Sequence, residues 1–175
     1  CWLRDSAFTL DALIRSGYVD EAKAWRDWLL RAIGGNPNDL QVLYGIGGER
    51  RLIEYELNWL PSHHGSSPVR GGNAAADQLQ IDVYGEVMDT LSRGRRHGLE
   101  LERHVWALQA HLVRHLERRW VEPDEGIWEI RGQRRHFVHS KVMAWVAVDR
   151  LIRGIEETGS AAADTAALAA LLIPM

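Results

Sequence analysis

A chain of 175 residues, 46% hydrophobic and 26% charged with a net charge of −3, has the makings of one globular domain with a sizeable core. It lacks the basic excess that marks nucleic-acid binding and holds no apolar run of the roughly 18 to 20 residues a membrane span needs; its one cysteine, Cys1, leaves no intramolecular disulfide to form. The expectation is a cytoplasmic protein that engages neither nucleic acid nor membrane, whose ends, C-W-L-R-D and L-L-I-P-M, read as cuts through a longer chain.

Trp2 to Arg15 has helical periodicity, with Phe8, Ala12 and Leu13 on one face and Gly17 as the stop. Arg4 and Asp5 open this helix. Asp5 suits the first turn, where free backbone N–H groups favour a carboxylate, and together with Arg4 it also makes a polar fork for neighbouring sugar hydroxyls. Val19 to Ile33 is a second amphipathic helix, with Ala22, Trp25, Leu29 and Ile33 at intervals of three and four.

Gly34 to Asn73 has little periodicity, and a loop region of that length points to a binding role. His63 and His64 within it are neighbours that point apart and read as surface residues. Ala74 to Leu91 returns to helix with two stripes: Leu79, Val83 and Val87 are apolar, whereas Gln78, Asp82 and Glu86 form a polar row that fits a solvated face or a polar-lined cavity equally well. Leu99 to Trp120 is a long amphipathic helix; His111 and His115 share a face there but sit among arginines, which argues against a metal site. No metal and no cofactor are expected.

Ser140 to Arg153 is apolar nearly all round and should be buried on most sides, and Ser160 to Leu172 is a weaker, alanine-rich helix. Inner helices (Trp2 to Arg15, Ala74 to Leu91, Ser140 to Arg153) alternate with outer ones. The fold class is therefore all-α, an (α/α)₆ toroid of which about six helices, residues 1–175, make the first half, with long loops at one mouth and the C-terminal half missing. A half-barrel of this kind is expected to self-associate through its uncovered inner faces.

Eight tryptophans against two phenylalanines over-supply flat faces on which sugar rings dock, although Trp2, Trp25, Trp28, Trp106 and Trp145 lie in helical patterns and belong mostly to the core. The stretch Pro123 to Ser140 carries the chemistry. It sets Glu129 beside Trp128 in a glycine-punctuated loop, and a carboxyl group desolvated by an indole has its pKa raised toward that of a general acid.

Several segments in order, C-W-L-R-D-S-A-F-T-L, L-Q-V-L-Y-G-I-G-G-E-R, P-V-R-G-G-N-A-A, Q-L-Q-I-D-V-Y-G-E-V-M-D, G-I-W-E-I-R-G and H-S-K-V-M-A-W-V-A-V-D-R, resemble glycoside hydrolase family 15 in its prokaryotic branch, the family of glucoamylases, glucodextranases and certain trehalases. The resemblance implies an (α/α)₆ barrel and inverting, exo-acting release of glucose from α-glucans or trehalose. Glu129 resembles the general acid, Arg4 and Asp5 the pair that grips the non-reducing glucose, Trp128 an aromatic wall, Trp2 a weaker one, and Ile127 a main-chain partner of the sugar. Two positions depart from the pattern. Ile130 stands where fungal glucoamylases carry a second glutamate for the leaving sugars, and Gly71 replaces an isoleucine.

The resemblance also implies that the general base lies beyond Met175; Asp82, Glu86, Glu54 and Glu56 are the internal substitutes, and structural roles suit them better. Two alternatives remain open at this point. One is a non-catalytic protein that binds glucose or α-glucan; the other is a phosphorolytic enzyme using Arg70, Arg131, Arg134 and Arg135 for phosphate.

Overall fold

The structure, a computed structural model, describes residues 1–34, 40–99, 103–128 and 130–158. Among them lie helices α1 (Leu3–Arg15), α2 (Val19–Gly34), α3 (Asp82–Arg96), α4 (Arg103–Arg119) and α5 (Val138–Thr158). The strands among the described residues are the two-residue β1 (Tyr55–Glu56) and β2 (Arg70–Gly71), antiparallel with Tyr55 opposite Gly71. The alanine-rich helix expected over Ser160 to Leu172 lies outside the described residues. None of the described helices is long and apolar enough to cross a membrane.

The chain is all-α, and its helices divide as their periodicity predicts. α1, α3 and α5 form an inner row in which α3 packs on both neighbours; α2 lies against α1, and α4 against α3 and α5. α3 is buried on almost every side, with Val83, Tyr84, Val87, Met88 and Leu91 in the main core alongside Leu29, Ile33, Tyr44, Leu112 and Leu151.

Three expectations need correction. In α1 the buried stripe is Leu3, Ala7, Leu10 and Ile14, while Phe8 is exposed. The stripe that repeats at four, three and four residues along the whole helix prevails over the shorter Phe8–Ala12 one.

The helix expected from Ala74 instead begins with a short 3₁₀ turn, Ala74–Asp77, capped by Asn73, whose side chain accepts from the Ala75 amide at 2.9 Å. The chain then runs extended before α3 starts at Asp82 and continues to Arg96. Tertiary hydrogen bonds hold that gap open. Leu79 N–H donates to Glu125 Oε2 at 2.8 Å, Ile81 N–H donates to Asp124 Oδ2 at 2.9 Å, and Glu125 N–H returns to the Leu79 carbonyl at 3.0 Å.

Finally, α5 is not buried on most sides. It buries Ser140, Ala144, Ala147, Leu151 and Gly154, mostly small residues, whereas Val138 and Val142 are exposed and Trp145 is 58% exposed. Trp145 is therefore no core residue, while Trp2, Trp25, Trp28 and Trp106 do pack against the core.

The small-residue face lets α5 approach α3 at backbone distance. A Cβ on Gly85 would collide with the Met143 carbonyl oxygen, and one on Gly154 would stand 2.8 Å from the Trp106 ring. Backbone cannot move aside as a side-chain tip can. Gly85→Ala should therefore lower stability by about 1–3 kcal/mol, seen as a fall in melting midpoint. Gly34→Ala, at a position with open space around it, should change stability by less than about 1 kcal/mol.

Candidate active site

The N-terminal segment is tied down before α1 begins. Leu3 N–H donates to the Val42 carbonyl at 3.0 Å and Tyr44 N–H donates to the Cys1 carbonyl at 2.9 Å, an antiparallel bridge that pairs Trp2 with Leu43. Tyr44 is fully buried, so this bridge anchors the start of the chain in the core. Arg4, on the first turn of α1, then reaches across the fold. Its Nη1 donates to the Ile127 carbonyl at 2.9 Å, its Nη2 contacts Asp5 Oδ2 at 3.3 Å, and its guanidinium carbon lies 5.6 Å from the centre of the Trp2 ring.

Four of the expected site residues, Trp2, Arg4, Asp5 and Ile127, thus come together from segments more than a hundred residues apart. The Asp5 side chain remains 64% exposed and free to accept further hydrogen bonds. Trp128 follows Ile127 and is 85% exposed, an indole face open to a ligand. Glu129 itself lies outside the described residues; Trp128 and Ile130 flank it.

Several interactions hold the loop that carries these residues. Asp124 and Arg135 exchange backbone hydrogen bonds of 2.9 Å each, closing the loop at its base. Asp124 and Glu125 bind the amides just ahead of α3, and Glu125 also accepts from Arg134 Nε at 2.9 Å. Farther out, Arg131 makes a two-pronged contact with Glu54, at 3.1 and 2.8 Å. Glu54 also accepts from the Ala74 amide at 3.3 Å and meets Arg70 at 3.5 Å. The Arg131 guanidinium beside Glu54, with the Ala74 amide, holds its carboxyl below the usual range.

Of the four arginines considered for phosphate, three are paired with carboxylates: Arg131 and Arg70 with Glu54, and Arg134 with Glu125. Glu54 is likewise occupied as an anchor and is poorly suited to abstract a proton.

Beneath Arg4 the polar row of α3 proves to be buried. Asp82 has no exposed surface and Glu86 is 6% exposed. Burial pushes the Asp82 carboxyl up, only partly offset by the nearby His139. Glu86 is pushed up to about 7, by burial first and then by the neighbouring Asp82 and Asp89. His139, at the start of α5, places Nε2 3.7 Å from Asp82 Oδ2. One ligand atom from each of Asp82, Glu86 and His139 lies within 4.8 Å of the others, the set among the described residues that could hold a metal ion. His63 and His64 are exposed, and His115 stacks on Tyr84 at 6.0 Å between ring centres.

Reading the sequence missed Asp124, Glu125 and His139. P-D-E-G carries only a local turn signal, and nothing local announces that its carboxylates bind amides 43 and 46 residues away.

The family model described as Glycosyl hydrolases family 15 matches residues 1–170. A protein named trehalase from Mycobacterium tuberculosis (strain ATCC 25618 / H37Rv) is 39% identical over 90% of this chain and 24% of its own length. Trehalase 1 of Sulfolobus acidocaldarius is 35% identical over 86% of this chain and 27% of its own length. Isomaltose glucohydrolase of Kribbella flavida is 32% identical over 77% and 34% respectively. The chain thus spans about a quarter of the length of the trehalases it matches. No solved structure matches.

The shape of the loop rests on Gly126, at φ 66° in the left-handed region, where a Cβ would stand 2.7 Å from the Phe137 ring. Gly126→Ala should loosen residues 123–137 while leaving the helices intact. The expected result is faster tryptic cleavage after Arg131, Arg134 or Arg135, with helical circular dichroism at 25 °C unchanged.

Proposed function

The chain belongs to glycosyl hydrolase family 15, and from that premise we propose that the whole protein hydrolyses an α-linked glucoside, α,α-trehalose, releasing glucose with inversion. Arg4 and Asp5 hold the hydroxyls of the glucose whose anomeric bond is cut, Trp128 covers that ring or its neighbour, and Trp2 lies behind Arg4. Glu129 gives its proton to the glycosidic oxygen as the C–O bond breaks. A water attacks the anomeric carbon from the opposite face and passes its proton to a second carboxylate. Atoms balance to glucose of inverted configuration and a free second glucose. The family resemblance implies that the general base belongs to a part of the protein outside these residues; in keeping with it, Glu54 is paired with Arg131, and Asp82 and Glu86 are buried.

The observation that carries this reading is the hydrogen bond from Arg4 to the Ile127 carbonyl. It fixes the sugar-gripping pair against the main chain two residues before Glu129, and acid catalysis needs a bound glucose and a proton donor in constant register. Trehalose is favoured over α-glucan on two grounds. The relatives of 35–40% identity are named trehalases, and Ile130 occupies the place of the leaving-sugar glutamate of starch-type enzymes.

Glucose release from trehalose, maltose and maltotriose by the full-length protein tests the proposal. Trehalose should be cleaved fastest, with α- and β-glucose appearing by proton NMR in equal amounts before mutarotation, because the attacked glucose inverts and the leaving one keeps its α configuration. Glu129→Gln should lose on the order of 10² to 10⁴ in rate. Arg4→Lys, which keeps the charge but cannot bridge Ile127 and the sugar together, should lower kcat/KM by at least about tenfold. Trehalose binding without cleavage in the wild type would make the protein a binder; full activity in Glu129→Gln would remove Glu129 from the mechanism.

A further inference from the structure

The buried corner beneath Arg4 is short of positive charge. Asp82 is fully enclosed, and neither of its carboxyl oxygens has a hydrogen-bond partner. Glu86 stands one helical turn along α3 and is also buried, and the carboxylate of Asp124, which caps the Ile81 amide, lies close enough to repel Asp82.

Among the described residues, none of the nearby cations bonds these carboxyls; Arg93, whose charge acts on Glu86, is held by Asp89 and Asp11. The hydrogen bonds of Arg4 run to the Ile127 carbonyl and to Asp5. The first turn of α3 contributes only the fractional charge of a helix N-terminus. His139 points Nε2 at Asp82, but 3.7 Å is too long for a hydrogen bond, and this nitrogen too is enclosed and without a partner. Enclosed polar groups that no protein group satisfies cost several kcal/mol in general unless a bound species joins them.

The three side chains already have a coordination layout. One donor atom from each of Asp82, Glu86 and His139 falls within 4.8 Å of the others. Metal–ligand bonds of about 2.0–2.2 Å put adjacent ligands about 3 Å apart, so a modest contraction of rotamers closes the set. Two residues come from α3 and one from α5, the helix pair whose backbones touch at Gly85.

We propose that Asp82, Glu86 and His139 bind one divalent cation of the Mn²⁺ or Zn²⁺ kind, which ties α3 to α5 beneath Arg4. Two carboxylates and an imidazole are a mixed oxygen and nitrogen donor set; it suits these ions better than Ca²⁺, which takes oxygen alone, or Cu⁺, which takes sulfur. The ion is held by two residues of α3 and one of α5, so its role is to pin these helices together. This inference stands apart from the hydrolase reading, since its readout is metal binding and not sugar cleavage.

The test uses the full-length protein, stripped with a chelator and dialysed, titrated separately with Mn²⁺ and Zn²⁺ by calorimetry, with loss of the free Mn²⁺ electron paramagnetic resonance signal as a second readout. The expected result is a saturable site of about one equivalent, with a melting midpoint that climbs with ion concentration. His139→Gln, at a position 40% exposed and therefore tolerant of change, should weaken binding at least tenfold, as should Asp82→Asn. Absence of saturable binding in the wild type overturns the proposal and leaves the corner to shared protons. Equal affinity in wild type and both variants places the ion elsewhere on the histidine-bearing surface, which overturns it equally.

Discussion

The approach of α5 to Gly85 at backbone distance is the constraint on which the rest depends. Two helices can lie that close only where side chains are small or missing, and the sequence provides Gly85 on α3 and the buried Ser140, Ala144 and Ala147 on α5, while Gly154 makes room for Trp106 of α4. Tight packing of this kind fixes the axial register of the helices, because a small face interlocks with its neighbour in few positions. Register in turn decides which polar groups meet. His139 stands opposite Asp82, and the loop that leads into α5 emerges over the start of α1, where Arg4 can reach Ile127.

A second level of order comes from carboxylates used as anchors. Asp124 and Glu125 bind the amides of Ile81 and Leu79, which holds the segment before α3 extended and delays the helix to Asp82. Glu54 then clasps Arg131 on the other flank of the same loop. Trp128 and its neighbours are thus carried on an irregular segment tied at both shoulders, and a loop so held can present side chains at defined positions although it has no regular structure. The tip stays open. Trp128 and Asp5 are both largely exposed.

Periodicity in the sequence is enough to read the inner and outer helices, and the motif W-L-R-D marks the segment whose Arg4 reaches Ile127. It misled where two signals competed. α5 reads as apolar all round, yet its large residues, Val142 and Trp145, face outward while its small ones face α3, because close packing selects by size and not by hydrophobicity. In α1 the longer stripe displaced Phe8 from the core. The helix expected from Ala74 begins with a real turn, capped by Asn73, but tertiary contacts from Asp124 and Glu125 hold the chain out of helix until Asp82. Asp82, Glu86 and His139 were invisible as a group, since the pairing of His139 with α3 depends on helix register and leaves no trace in spacing.

These levels converge on Arg4. Its guanidinium carries positive charge into a partly buried position, where the Ile127 carbonyl accepts from it and three carboxyl groups lie near: Asp5, more exposed, and Asp82 and Glu86, both buried. A charge held from several sides has few rotamers to choose from. On the proposed reading, a sugar hydroxyl arriving at Arg4 and Asp5 would meet a fork already set in direction, with little side-chain entropy left to lose on binding. The same surroundings explain why a lysine would not substitute. Its single ammonium could satisfy the carbonyl or the ligand, but it lacks the planar fork that serves both, and the buried acids beneath would then draw it away from the sugar.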